Sequence, residues 1–106
     1  MADKTIRQGE SYDLRYQVYD GVEPAAPISA TCEFINDETG EVVIEQTSAG
    51  VDAEDAIISF TLTDGNGGTA TPGFYRAVFV ATFSGGETRT HIIHIQVIER
   101  EGKAES

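Results

Sequence analysis

Tryptophan is absent from this chain of 106 residues, and cysteine occurs once, at Cys32. A lone thiol excludes an internal disulfide, so the fold has no covalent staple, and synthesis in a reducing cytoplasm is expected. Without indole rings, the core must come from five Phe, four Tyr and the Val and Ile residues. Met1-Ala2-Asp3-Lys4 leads into a polar segment that lacks the apolar core of a secretory signal. No apolar run approaches the roughly 20 residues of a membrane span. Basic residues are scarce too: Lys and Arg total 7 against 18 Asp and Glu, a net charge of -11. A field of that sign repels phosphate backbones, so neither nucleic acid nor membrane is expected among the partners. The acids are dispersed over turns, as in Asp37, Glu38 and Glu41 or Asp52, Glu54 and Asp55. Such a surface keeps a protein soluble, and it also suits docking onto a basic partner.

What is present is alternation. Tyr12, Leu14, Tyr16 and Val18 share one phase, with Asp13, Arg15, Gln17 and Tyr19 on the other. Pro24 and Pro27 mark a loop. Ala30, Cys32 and Phe34 then alternate with Thr31, Glu33 and Ile35, and turn chemistry at residues 36–40 sends the chain back through residues 41–47 as a hairpin. Residues 48–55 read as a polar loop. Ile58, Phe60 and Leu62 give a further half-buried strand, and the glycine-rich stretch 64–71 reads as the most flexible segment. Thr5 to Gln8 fits a short edge strand. No helical periodicity is sustained. The expectation is one all-β domain over residues 1–106, a sandwich of six or seven strands with its core at about 5–99 and a polar tail at 100–106.

The last two strands permit a sharper inference, because turn length decides which apolar sets meet. A two-residue turn at Gly85-Gly86 would set Phe79 against Ile92 and Ala77 against His94. A three-residue turn, Ser84-Gly85-Gly86, would put Tyr75, Ala77 and Phe79 on one face with Ile95, Ile93 and His91. The second register gathers the large apolar residues and needs a left-handed residue at the end of the turn, which Gly86 supplies. It leaves Val78, Val80, Ile92 and Ile98 on the opposite face, screened by loops and twist or covered by a partner, perhaps another copy. These four are the candidate interface residues.

No catalytic set assembles. His91 and His94 are three apart on a strand, so they point to opposite faces and do not chelate one metal together. Cys32 falls on an inward phase. Asp64-Gly65-Asn66 fails as an EF-hand loop, since Gly68 and Tyr75 stand where its fifth and twelfth ligands belong. Asp52, Glu54 and Asp55 form an acidic loop. No cofactor, metal or enzymatic activity is expected.

Taken in order, these signals resemble the immunoglobulin-like domains of tailed-phage virion proteins, and in particular the N-terminal domain of phage baseplate upper proteins. The resemblance runs through Gly-Glu-Ser-Tyr-Asp-Leu at residues 9–14, the Pro-containing loop, Thr31-Cys32-Glu33-Phe34-Ile35 and the turn at Gly40. It continues through Ile58 to Thr63, Pro72-Gly73-Phe74-Tyr75-Arg76-Ala77 and a last strand at residues 93–98. It implies an immunoglobulin-like antiparallel β-sandwich in which Tyr75 resembles a tyrosine corner. It also implies a non-enzymatic structural component of a bacteriophage particle, capsid decoration or tail-attached. Such a component would be made in the host cytoplasm and held in the virion by other virion proteins, in many copies or as a homo-oligomer. Thr5 to Gln8 would then be an edge available to a neighbour. The alternative is a carbohydrate- or calcium-dependent adhesion module, for which Tyr19 is the one clear outward aromatic.

Overall fold

Alternating side chains make strands throughout the computed structural model, which describes residues 3–20 and 22–99 and has no helix among them. In chain order the strands are β1 (Lys4–Arg7), β2 (Tyr12–Gln17), β3 (Tyr19–Asp20), β4 (Glu23–Pro24), β5 (Ser29–Asn36) and β6 (Val42–Ser48). They continue as β7 (Gly50–Asp52), β8 (Ile57–Leu62), β9 (Gly73–Thr82) and β10 (Thr88–Ile98). A five-stranded sheet, β1-β10-β9-β5-β6, packs on a three-stranded sheet, β2-β8-β7, while β3 and β4 form a small ribbon. This is an immunoglobulin-like β-sandwich.

Inward residues from both sheets meet as one core. The five-stranded sheet contributes Cys32, Phe34, Tyr75, Ala77, Phe79, Ile93, Ile95 and Val97, and the other sheet contributes Leu14, Ile58 and Leu62. Each large side chain removed from water adds about 1.5–3 kcal/mol. Phe34 stacks on Tyr75 with ring centroids 4.9 Å apart.

The register of β9 with β10 is the one set by the three-residue turn. His91 pairs with Phe79, Ile93 with Ala77 and Ile95 with Tyr75. Phe83 N–H donates to Glu87 O at 2.8 Å, Gly86 N–H donates back to Phe83 O at 2.8 Å, and Gly86 takes a φ of 88°. An L side chain rarely adopts that backbone, which is why the turn calls for glycine.

Tyr75 makes the expected corner. Its hydroxyl donates to Thr71 O at 2.6 Å, tying the start of β9 to the preceding loop. Burial, reinforced by the charges of Glu38 and Glu41, raises the phenol above its usual range and keeps it a donor.

Three details differ from the sequence expectations. The sandwich is not wholly antiparallel, because β1 pairs with β10 in parallel. Strands outnumber the six or seven expected, since β7 forms within the stretch read as a polar loop and β3–β4 within the proline loop. Alternation was too short in both places to be recognised. Segment 64–71 is pinned at several points: Asn66 Oδ1 accepts from the N–H groups of Thr63 at 3.0 Å and Gly68 at 2.9 Å, Asn66 Nδ2 donates to Thr61 O at 2.9 Å, and Gln8 Nε2 donates to Ala70 O at 2.9 Å. The tail at 100–106 lies outside the described residues.

Two substitutions check these ties. Tyr75→Phe strands the Thr71 carbonyl and is expected to lower unfolding free energy by about 1–2 kcal/mol in urea titrations. Asn66→Ala removes several bonds and is expected to cost about 1–3 kcal/mol. An unchanged urea midpoint in either variant would show that the bond adds nothing.

Candidate functional site

The two sheets present different outer faces. On the three-stranded sheet the outward positions of β2 are Asp13, Arg15 and Gln17, paired with Thr61, Ser59 and Ile57 of β8. Thr61 donates to the Asp13 carboxylate, and Arg15 lies 3.9 Å from the same group. This is an ordinary hydrated face.

The outer face of the five-stranded sheet is unlike it. Val78 faces Ile92 directly across the β9–β10 ladder, with Glu33 on its other side. Val80 stands between Thr90 and Thr31. Ile35 pairs with Val42, extending the apolar surface toward β6. Ile92 and Phe74 are each 44% exposed, while Val78 and Val80 are half-buried by their neighbours. The charged residues at the outward positions of β1, β10, β9 and β5 are Arg7, Arg76 and Glu33. Arg76 pairs with Asp37 from the β5–β6 turn. In a chain of net charge -11 this face is close to neutral.

Three of the four residues expected at an interface therefore form one patch, centred on the Val78–Ile92 pair. Ile98 does not join it. It pairs with Arg7 six residues farther along β10, about 20 Å from Ile92, with His94 and Gln96 between. Sequence alternation placed all four on one side, but phase alone does not make a patch of residues six apart along one strand. It also missed Ile35, Val42 and Phe74, because a continuous apolar face is recognised only when strands are placed side by side.

A polar cluster bounds the patch. His94 Nδ1 lies 3.4 Å from Asp37 Oδ2, and Arg76 pairs with Asp37 from the adjacent strand. The guanidinium hydrogen bond holds the Asp37 carboxyl below the usual range, with smaller help from His94. His94 N–H also donates to Asp3 Oδ2 at 3.0 Å, and Asp3 N–H donates to His94 O at 2.7 Å. These bonds dock the chain leading into β1.

The remaining candidates have structural roles. Cys32 is fully buried, and burial, with the Glu33 charge, pushes its thiol up to about 12. It stays protonated and inert. His91 stacks on Tyr16 of the opposing sheet at 3.6 Å between ring centroids, closing one end of the sandwich. Asp52 Oδ1 accepts from the N–H groups of Glu54 at 3.0 Å and Asp55 at 3.2 Å, so its carboxylate caps a turn. Among the described residues no three His, Cys, Asp or Glu side chains gather as metal ligands. Thr5 to Arg7 do form the sheet edge, within β1. At the end holding the β3–β4 ribbon, Val22 is 90% and Ile28 67% exposed, more than Tyr19.

No protein-family model and no curated protein matches the sequence. Among solved structures the fold is similar to CopC from Methylosinus trichosporium OB3b, with a TM-score of 0.63 and 18% identity over 96% of this chain and 89% of that one. It is also similar to part of a putative glycoside hydrolase from Bacteroides vulgatus ATCC 8482, with a TM-score of 0.56 and 14% identity. That match takes in 94% of this chain but 17% of the hydrolase. At such identities the likeness is one of fold, and neither neighbour bears on the resemblance to phage virion domains.

The His91–Tyr16 stack has a pH signature. Burial lowers the His91 pKa, and the nearby Asp3 charge only partly opposes this. The unfolded imidazole, near pH 6.5, then binds a proton more readily than the folded one, so His91 weakens the fold as pH drops below that value. His91→Phe keeps a ring on Tyr16 without the proton. Its thermal midpoint is expected to fall less than that of the natural protein between about pH 7.5 and about pH 5.5. Parallel curves would show that His91 is hydrated in the fold.

Proposed function

We propose that this protein is a non-enzymatic structural component of a bacteriophage particle, attached to capsid or tail, which binds other virion proteins through the outer face of its five-stranded sheet. The phage assignment comes from the resemblance of residues 9–14, 31–35 and 72–77 to immunoglobulin-like domains of tailed-phage virion proteins. The docking surface is supported by one observation above the rest. Val78, Val80 and Ile92 cluster on a nearly neutral face, whereas the opposite sheet is conventionally polar. An apolar face of this kind, with Thr31 and Thr90 beside Val80 and Glu33 beside Val78, suits contact with another protein. In this reading the acidic surface keeps the unassembled protein soluble in the host cytoplasm. After assembly it disfavours adhesion between finished particles.

The test is incorporation. Mass spectrometry of purified particles of the phage encoding the chain is expected to detect the protein. Particles grown with Val78→Glu are expected to lose at least about nine-tenths of it, since one buried unpaired carboxylate costs an interface several kcal/mol. Absence of the natural protein from particles, or full retention of a folded Val78→Glu variant, would rule the proposal out.

A further inference from the structure

The neutral face is also matched to itself. We propose that it pairs with the same face of a second copy of this chain, so that the free protein is a face-to-face dimer with the Val78–Ile92 pairs of the two copies at its centre. This rests on the reading of that face as a docking surface and specifies its occupant.

Charge argues for a second copy. On β1, β10, β9 and β5 the outward acid is Glu33, which shares that face with Arg7 and Arg76, and β6 adds the exposed Glu45. A basic partner has little to grip there and would settle on the opposite sheet and loops instead. Two copies approaching by the loop that carries Asp52, Glu54 and Asp55 bring acidic surfaces together. Approaching by this side, they bring together surfaces whose charges nearly cancel, with Arg76 already neutralised by Asp37.

Area argues the same way. Five strands spaced about 4.8 Å, with ten residues in β9 rising about 3.3 Å each, span roughly 24 by 33 Å. Allowing for the shorter edge strands, the face offers about 600–800 Å², near the roughly 800 Å² per partner of a stable specific interface. Two such sheets stack about 10 Å apart, the spacing at which Val and Ile side chains interdigitate. A two-fold arrangement makes every contact twice, so the Val78–Ile92 pair of one copy meets that of the other.

Sedimentation equilibrium of the full chain tests this from about 5 to about 500 μM. A dimer is expected, and it should tighten several-fold between about 0.05 and about 0.5 M salt, because salt screens the repulsion between two acidic bodies. Ile92→Glu, at a position exposed enough to leave the monomer folded, and Val78→Glu are each expected to weaken dimerisation at least tenfold. Arg15→Glu, on the opposite sheet, should leave it within about twofold in high salt. A monomer at every concentration and salt, or a dimer that both face variants leave intact, overturns the proposal. If the protein stays monomeric yet Val78→Glu still drops out of particles, self-pairing alone is overturned and docking to other virion proteins stands.

Discussion

Gly86, in left-handed backbone, closes a three-residue turn and so pairs His91 with Phe79, Ile93 with Ala77 and Ile95 with Tyr75. Both faces of the five-stranded sheet follow from that pairing. One residue of slippage would turn a whole strand over, setting Ile92 and His94 against the core in place of Ile93 and Ile95. The turn therefore decides which apolar side chains make the core and which lie on the outer face. Tyr75 reinforces the arrangement from the other end of β9, where its hydroxyl anchors the incoming loop.

Around this hairpin the charge is divided unevenly. The hydrated face of β2 and β8 carries Asp13 and Arg15, and turns carry Asp52, Glu54 and Asp55. The face built on β9 and β10 stays almost neutral, with Asp37, Arg76 and His94 closing one border of its apolar centre. The likeness to CopC and to a segment of a glycoside hydrolase is one of fold, and the fold itself is silent about chemistry.

Much of the architecture was legible in the sequence because strand alternation is local. The inward phases of Leu14, Cys32, Phe34, Ile58 and Leu62 are buried as read, and the turn at residues 36–40 is closed by Gly40 with a φ of 79°. Local patterns failed where they were short or where one side chain acted at a distance. Gly50–Asp52 is too brief to show alternation, and nothing in the composition of residues 64–71 reveals that Asn66 ties them together. The parallel pairing of β1 with β10 is equally hidden, since a strand's own residues do not state its partner's direction.

By itself the sequence determined the all-β class, the inward and outward phase of each long strand and the acidic balance, and it favoured one of two hairpin registers. Each of these is a property of neighbouring residues or of simple counting. Tertiary structure alone decided that Ile35 and Val42 extend the Val78–Ile92 surface toward β6, and that His91 lies against Tyr16. It also brought Asp37 from a distant turn to Arg76 and His94. The physical reason is distance: phase repeats every second residue, but adjacency across strands and sheets depends on how separate segments come to lie beside one another.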